Sequence, residues 1–212
     1  MTHATLARRA RAHLRRVDPV MAKVMESVGP YRPRDGTGGS HYLALVRSIV
    51  FQQLSGKAAG TIHGRLLALY PGGAPTPAQI LATSEEQLRA VGLSRQKIGY
   101  LRDLSARLQA GTLPLDHVDS LADAELIAHL VQVKGIGRWT AQMFLMFKLG
   151  RPNVLPDLDL GIQNAIKRAY RKRKVRPKDV QRIGAKWTPY SSVACWYLWR
   201  SLDNDGGQLG AE

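Results

Sequence analysis

The sequence predicts an all-α protein. Apolar residues recur at helical spacing along nearly all of the 212 residues, and no segment has the alternating pattern of a half-buried strand. Helix start signals support this prediction, because Asp18, Ser40 and Ser55 each precede a segment with helical spacing, and Ser84 with Gln87 forms a capping-box pattern. With 44% hydrophobic residues, the chain can bury a substantial core. We therefore expect one domain, or two lobes of one compact unit.

The predicted helices follow one another with short connections. A basic helix over residues 4–16 opens the chain, and the segment GPYRPRDGTGGS is the first long loop. Further helices are predicted, in order, for LALVRSIVFQQL, AAGTIHGRLLALY, EEQLRAVG, SRQKIGYLRDLSARLQAG, DAELIAHLVQV, RWTAQMFLMFKL and a segment that runs to about Tyr170. No repeat typical of a solenoid is present.

The net charge points to a polyanionic partner. Thirty-one lysines and arginines against 16 acidic residues give a formal charge of +15 and a pI near 10.4. Nucleic acid is the first candidate and an acidic membrane surface the second. The sequence has no apolar span of about twenty residues and no secretory signal. We therefore expect a soluble cytoplasmic protein with no membrane partner. We also predict that it is a monomer associated with the bacterial nucleoid.

The thiol and imidazole groups argue against a tight metal site. Cys195 is the single cysteine, which excludes an internal disulfide, a four-cysteine zinc site and a four-cysteine iron–sulfur cluster. The six histidines are scattered without a paired metal-binding spacing. Because Cys195 lies in the apolar run SSVACWYLW, we expect a buried structural thiol rather than a catalytic one.

The segment VKGIGRWTAQMF contains a candidate phosphate-binding hairpin. Lys134-Gly135-Ile136-Gly137 lies between two predicted helices. Unpaired backbone N–H groups and the positive end of the helix dipole favour an anion at the start of the second helix, and glycine lets a phosphate come close. The alternative is an ordinary tight turn between helices. The charge of the chain favours the phosphate interpretation.

Two aspartates precede the helix that runs to Tyr170. Asp157 and Asp159 follow Pro156, at the opening of that helix. One could be the N-cap and the other could complement the helix dipole, each worth less than about 1 kcal/mol. The alternative is a functional role, because carboxylates on a basic surface are unfavourable unless they meet something cationic.

Basic and aromatic residues are concentrated near the end of the chain. The basic segment, residues 167–178, carries eight Lys or Arg in twelve positions, and forms either a solvated face or a phosphate-binding surface. The aromatic residues that follow are expected to be mostly core, with one or two lining a pocket. They are Trp187, Tyr190, Trp196, Tyr197 and Trp199.

Together these motifs resemble the helix-hairpin-helix (HhH-GPD) superfamily of DNA base-excision glycosylases. Asp159 follows Gly135 by 24 residues, a separation that suits this family. Within it the chain most resembles the 3-methyladenine DNA glycosylase II branch, through FQQLSGKAA, VKGIGRWTAQMFLMF, VLPDLDLGI and KWTPYSSVACWYLWR. The resemblance implies two helical lobes around a cleft in a single unit, residues 1–212. It divides the chain into a basic helical segment (1–39), a catalytic core (40–202) and a flexible tail (203–212).

The resemblance also implies roles for individual residues. Asp159 is the expected catalytic residue, because DLG matches the family there, and Asp157 is a cap or a supporting group. Trp139 and Trp199 match aromatic positions of the substrate pocket, and Tyr190 is a weaker candidate. Some members of this branch carry a further N-terminal α/β domain, so the chain resembles a compact version in which the basic helix RRARAHLRR substitutes for some of the missing contacts.

DNA contacts are expected from three groups of residues. Gln53 matches the family's wedge, which fills the space left by a flipped nucleotide, slightly better than Leu54 does. The alternative is that Leu54 is core and Gln53 a helix cap. The expected DNA-binding hairpin comprises Lys134, Gly135, Ile136, Gly137, Arg138 and Thr140. In the family this hairpin also holds Na⁺ or K⁺, and the matching backbone carbonyls are those of Val131, Val133 and Ile136.

The resemblance finally implies the reaction. Bifunctional members carry a lysine where this chain has Trp139, so we expect hydrolysis of the N-glycosidic bond without lyase activity, with no required cofactor and no iron–sulfur cluster. The substrate is double-stranded damaged DNA carrying 3-methyladenine, 7-methylguanine or related bases, and the sequence leaves the preferred lesion open among alkylated, etheno and deaminated bases. The alternatives are a non-catalytic DNA-binding module and a glycosylase with lyase activity.

Overall fold

The computed structural model describes residues 3–32 and 39–203, and every regular element within them is helical, which confirms the all-α prediction. These residues form two compact units. The aspartate unit comprises residues 3–32 and 145–203, and the hairpin unit comprises residues 39–144. Apart from Asp203, the tail predicted for 203–212 lies outside the described residues.

The chain forms twelve α-helices within the described ranges. They are α1 His3–Val17, α2 Pro19–Val28, α3 His41–Phe51, α4 Gly56–Ala68, α5 Pro77–Ala82, α6 Glu85–Ala90, α7 Arg95–Gln109, α8 Asp123–Leu130, α9 Arg138–Met143, α10 Leu160–Ala169, α11 Pro177–Gly184 and α12 Ser191–Asp203. Short 3₁₀ turns lie at Pro71–Gly73, Leu115–His117 and Ala185–Trp187. None of the helices described is long and apolar enough to cross a membrane.

Side chains predicted as helix starts act as caps. Asp18, Ser40 and Ser55 each accept a hydrogen bond from a backbone N–H in the first turn of α2, α3 and α4. Ser84 and Gln87 form the predicted capping box of α6. Each cap stabilises its helix by about 1 kcal/mol. Helix starts depend on such local bonds, which explains why the sequence predicts them well.

The segment RWTAQMFLMFKL differs from its prediction as one α-helix. It begins as α9 and continues from Phe144 to Lys148 as a π-helix. A π turn contains more residues than an α turn and therefore changes the direction of the side chains that follow it. No cap, glycine or proline marks this change in the sequence.

In the aspartate unit, α2, α10 and α12 pack together, and α1 lies against α2 and α12. The largest side chains buried in this core are Leu14, Met21, Met25, Trp187 and Tyr197. Of the five late aromatic residues only Trp187 and Tyr197 are buried, whereas the other three are half-buried, so the expectation that most of them are core is wrong. The basic N-terminal helix α1 is therefore part of the unit that carries Asp159.

In the hairpin unit, α7 is the central helix. It packs against α3, α5 and α6, while α4 lies against α3 and α8 lies against α9. Buried aliphatic side chains fill this core, including Leu45, Ile49, Leu66, Ile80, Leu101, Leu104, Leu126 and Leu130. A buried hydrogen bond of 2.8 Å between the hydroxyl groups of Tyr42 and Ser105 joins α3 to α7.

Candidate active site and nucleic-acid interface

Asp159 is a buried carboxylate at the N-terminus of α10, where 9% of the residue is exposed. It is the N-cap, and its Oδ1 accepts a hydrogen bond from the backbone N–H of Ile162 at 2.7 Å. The same oxygen accepts a second bond, at 3.0 Å, from Nε1 of Trp199. An ionised carboxylate has about four acceptor positions, so capping leaves it able to stabilise positive charge. The capping and catalytic interpretations of Asp159 are therefore compatible.

Asp157, predicted to be a cap or a supporting group, is not the cap of α10. Because α10 begins at Leu160, Asp157 lies before the helix and Asp159 takes the capping position. Asp157 is buried, and its Oδ2 accepts a hydrogen bond from Nε2 of Gln181 in α11. Its backbone carbonyl accepts a bond of 3.1 Å from Nε2 of Gln163 in α10. Asp157 thus joins two helices: of the two roles predicted for it, the cap is wrong, and the supporting group stays a prediction.

Gly161 provides the space in which Asp159 and Trp199 meet. A Cβ atom at Gly161 would lie 3.0 Å from Oδ1 of Asp159 and 3.1 Å from Nε1 of Trp199. These distances are shorter than ordinary van der Waals contacts. The glycine of the DLG segment is therefore explained by packing against the candidate catalytic residue.

Trp199 is half-buried and has an aromatic neighbour. The ring of Phe147 lies 5.8 Å from the ring of Trp199, centre to centre, with 35° between their planes. Phe147 is 49% exposed, although it is large and apolar. Phe147 was not predicted as a site residue, because the apolar run FLMF resembles an ordinary core segment. Its position in a π-helix, which occurs frequently at functional sites, is visible only in the structure.

Trp139 and Tyr190 were the other two predicted pocket residues. Trp139 is the second residue of α9, in the hairpin unit, and is 46% exposed, so it is not a core residue. Tyr190 belongs to the aspartate unit, and its ring packs edge-on against His13 of α1 at 5.5 Å. This contact gives Tyr190 a structural role, and its role in the pocket stays a prediction.

Cys195 is fully buried in α12, as expected of a structural thiol. Burial, together with the negative charge of Asp159, raises the pKa of this thiol well above its usual value. The thiol therefore remains protonated at neutral pH and is a poor nucleophile.

The candidate phosphate-binding hairpin is a tight turn whose backbone N–H groups make one hydrogen bond within the turn and one to α7. The N–H of Ile136 donates to the carbonyl of Val133 at 3.0 Å, and the N–H of Lys134 donates to Oδ2 of Asp103 in α7 at 2.9 Å. Gly135 has a φ of 81°, and a Cβ there would lie 2.1 Å from the ring of Tyr100. Both the backbone conformation and the packing require glycine at this position.

Gly137 differs from Gly135 in its surroundings. It has an ordinary φ of −87°, and a Cβ there would have no protein atom within 4 Å. Packing therefore does not require this glycine, and the open space fits the close approach of a phosphate. The side chains of Lys134 and Arg138 are exposed, whereas those of Ile136 and Thr140 are buried. Ile136 and Thr140 could thus contribute to binding mainly through their backbone.

The predicted monovalent cation site would use backbone carbonyls at the end of α8. Val131 is the C-cap of that helix, and the carbonyl of Val133 already accepts the N–H of Ile136. Carbonyl oxygens near a helix C-terminus carry partial negative charge, and each has two lone pairs. Together with the carbonyl of Ile136, they have the chemistry that Na⁺ or K⁺ requires. The site stays a prediction.

The two wedge candidates lie in the loop between α3 and α4. Gln53 and Leu54 are both exposed, and Leu54 is 41% exposed, so it is not part of the core. The C-cap of α3 is Gln52 and the N-cap of α4 is Ser55, so Gln53 caps neither helix. The alternative interpretation, in which Leu54 is core and Gln53 is a helix cap, is therefore wrong. The wedge role itself stays a prediction.

The basic segment joins α10 to α11. Seven of its eight lysines and arginines are exposed, and Lys172 is half-buried. Asp179 of α11 pairs with Arg182 at 3.2 Å and accepts a hydrogen bond of 3.0 Å from the N–H of Arg176. The segment therefore presents most of its positive charge to solvent, as a phosphate-binding surface requires.

Comparison with known families agrees with this geometry. Residues 46–190 match the family described as HhH-GPD superfamily base excision DNA repair protein. The matched range contains the hairpin and Asp159. The chain therefore belongs to the HhH-GPD superfamily of base excision DNA repair proteins.

Similar proteins identify its branch, the 3-methyladenine DNA glycosylases. The chain is 36% identical over 197 residues to DNA-3-methyladenine glycosylase 1 of Schizosaccharomyces pombe, covering 91% of this chain and 86% of that protein. A structure of the S. pombe 3-methyladenine DNA glycosylase in complex with abasic DNA has a TM-score of 0.83 at 34% identity, covering 92% of this chain and 97% of that one. A DNA-3-methyladenine glycosidase from Bacillus halodurans also has a TM-score of 0.83, at 35% identity, covering 92% and 90%.

Proposed function

We propose that this protein is a monofunctional DNA glycosylase that removes alkylated bases, such as 3-methyladenine and 7-methylguanine, from double-stranded DNA and leaves an abasic site. The observation that carries this proposal is the buried carboxylate of Asp159, held by the N-terminus of α10 and by Trp199. Similarity to 3-methyladenine DNA glycosylases over most of the chain supports it.

Asp159 acts on the sugar in this mechanism. When the bond between C1′ and the base nitrogen breaks, its electron pair moves to the base and positive charge develops on the deoxyribose. A fixed carboxylate stabilises that charge, and fixed groups of this kind usually make the largest contribution to catalysis. Water then adds to C1′ and loses a proton. The hydrogen bonds to Oδ1 hold the carboxylate in one orientation before the substrate arrives.

Alkylation explains why this site needs no strong general acid. A purine methylated at N3 or N7 carries positive charge, so it is a good leaving group and it also attracts the faces of aromatic rings. Such a cation–π contact contributes about 0.5–2 kcal/mol. Trp199, with Phe147 beside it, provides an aromatic surface next to Asp159. Trp139 has no amine, so it cannot form the Schiff base of a lyase reaction.

DNA binding has two parts, which are contacts with the phosphates of the DNA and extrusion of the target nucleotide. The Gly137 region of the hairpin and the basic segment bind phosphates without reading sequence. Gln53 or Leu54 enters the duplex when the target nucleotide leaves it. A monovalent cation on the carbonyls of Val131, Val133 and Ile136 would bring further positive charge to the hairpin.

The test is product analysis on DNA that carries a single 7-methylguanine. We expect the purified protein to release the free base, with strand breaks only after alkali and with no covalent adduct trapped by borohydride. Breaks without alkali, together with a trapped adduct, would establish a lyase and contradict the monofunctional assignment. DNA binding without base release from any alkylated substrate would identify a non-catalytic binding module.

A further inference from the structure

Lys97 makes two short hydrogen bonds to the end of a neighbouring helix. Its Nζ donates to the carbonyl of Val50 and to that of Gln52, both at 2.7 Å. The carbonyl of Val50 lies in the last turn of α3 and that of Gln52 lies at its C-cap, where no helical N–H remains to pair with them. A cation near a helix C-terminus is electrostatically favourable. Lys97 of α7 therefore caps the C-terminal end of α3.

The second of these bonds acts directly on the loop between α3 and α4, residues 52–55. We call it the wedge loop because it carries the wedge candidates Gln53 and Leu54. The carbonyl of Gln52 belongs to the same peptide group as the N–H of Gln53, so its orientation constrains the φ of Gln53. That φ is 57°, a left-handed conformation that is unusual outside glycine. Such a conformation costs roughly 1–3 kcal/mol and persists only when its surroundings hold it. The ammonium group of Lys97 provides that support.

The wedge loop is also joined to the hairpin. Nε2 of Gln52 donates to the carbonyl of Gly135 at 2.8 Å. On α7, Tyr100 packs under Gly135, and Asp103 accepts the N–H of Lys134. Positions 97, 100 and 103 are spaced by three, which places them near one another on the helix surface. One face of α7 therefore supports the wedge loop and the hairpin within the same unit.

We propose that Lys97 is a positioning residue for base extrusion: it holds the peptide before Gln53 so that the wedge side chain is preorganised relative to the phosphate-binding hairpin. The proposal rests on the proposed function, since a wedge matters only if a nucleotide leaves the duplex. Lys97 acts through Gln53 and does not contact the reacting atoms. Its loss should slow extrusion and leave the chemistry of an already unpaired base nearly unchanged.

Lys97→Met tests this, because methionine keeps much of the side-chain volume and removes both hydrogen bonds. The assay is single-turnover release of 7-methylguanine, either paired with cytosine in a duplex or unpaired in a one-nucleotide bulge. A small misplacement can cost up to about 100-fold in rate, so we expect about a tenfold or greater loss on the paired lesion and less than about threefold on the bulged one. Lys23→Met, at an exposed lysine of α2, is the control and should match the wild type on both.

A double variant separates positioning from general damage to the fold. If Lys97 acts through the wedge, Lys97→Met combined with Gln53→Ala should lose no more activity on the paired lesion than the more affected single variant. Additive losses, or equal losses on paired and bulged DNA, would overturn the proposal. If Lys97→Met is unfolded at the assay temperature, Lys97→Gln, which keeps a donor, is compared on the same two substrates. If the wild type releases no base from either substrate, the proposed function fails, and the role of Lys97 fails with it.

Discussion

Asp159 combines structural hydrogen bonds with the chemical role that we propose for it. As the N-cap of α10 it accepts the N–H of Ile162, and it also accepts Nε1 of Trp199. Asparagine is as good an N-cap as aspartate. Replacing Asp159 with asparagine should therefore remove the negative charge while it keeps the helix start. This makes the residue unusually suitable for separating catalysis from stability.

Gly161→Ala should reduce activity much more than stability. Alanine is favoured over glycine inside a helix by about 1 kcal/mol, but its Cβ would crowd Oδ1 of Asp159 and the indole of Trp199 at 3.0 and 3.1 Å. We expect the single-turnover rate to fall about tenfold, because the carboxylate and the ring must shift by tenths of an ångström. Thermal unfolding should change by only a few degrees.

The control for this prediction is Gly99→Ala in α7, where a Cβ would meet no atom within 4 Å. That variant should keep full activity. If Gly161→Ala also retained the wild-type rate, the positions of Asp159 and Trp199 would not be critical for the reaction.

At the scale of elements, the hairpin contains two glycines, and substituting them should have different effects. Gly135→Ala should destabilise the protein by about 2–4 kcal/mol, because alanine disfavours a φ of 81° and would overlap the Tyr100 ring. Gly137→Ala should fold normally, because φ is −87° and the space around it is open. If a phosphate occupies that space, Gly137→Ala should weaken DNA binding about tenfold. Chemical denaturation and binding titrations measure the two effects.

Two results would contradict this account of the hairpin. Unchanged DNA affinity in Gly137→Ala would mean that no phosphate approaches that glycine. Unchanged stability in Gly135→Ala would mean that the contact with Tyr100 is easily relieved by a shift of the ring.

A comparison of helix starts with longer-range contacts shows where sequence-based prediction succeeds. Helix starts at Asp18, Ser40, Ser55 and Ser84 were predicted because each depends on residues within one turn. The hydrogen bond between Asp157 and Gln181 was not predicted, because the two residues lie 24 positions apart and in different parts of the fold. Phe147 was missed for a similar reason, since the π turn that contains it has no local signal.

At the scale of the whole molecule, the fold was predictable and the sequence indicated Asp159 as the candidate catalytic residue, but the supporting contacts were not predictable. The spacing from Gly135 to Asp159 and four sequence motifs indicated the superfamily that the comparisons confirm. The two bonds from Lys97 to the end of α3 join residues 45 and 47 positions apart. No local pattern indicates such contacts, because they exist only once the helices have packed.

Asp18 is a buried carboxylate that joins distant parts of the aspartate unit. Oδ1 caps α2, and Oδ2 accepts bonds from the hydroxyl of Tyr170 and from Nε1 of Trp187 at 2.8 Å. The ammonium group of Lys186 lies 3.2 Å from the same oxygen. Burial alone would raise the pKa of Asp18, but these donors outweigh it and lower the pKa below its ordinary value of 3.8.

The stability of the protein should therefore depend on Asp18 in a pH-dependent way. A carboxyl group whose pKa is lower in the folded state stabilises that state above its unfolded pKa and loses this contribution as pH falls through the folded value. We expect Asp18→Asn to cost about 2–4 kcal/mol of unfolding free energy at pH 7. The difference from the wild type should shrink below about pH 4. Urea unfolding between pH 7 and pH 3 measures it, and a difference that stays constant over this range would contradict the assignment.

In the proposed mechanism the negative charge of Asp159 stabilises the sugar as the base leaves. The most direct test of this role is the single-turnover rate of base release by Asp159→Asn beside that of Asp157→Asn, with DNA affinity measured for both. The two variants make the same isosteric change in buried aspartates two residues apart. We predict a loss of about 100-fold or more for Asp159→Asn, with DNA affinity retained, and a rate within about threefold of the wild type for Asp157→Asn. A rate for Asp159→Asn close to that of the wild type would show that base release does not depend on this charge.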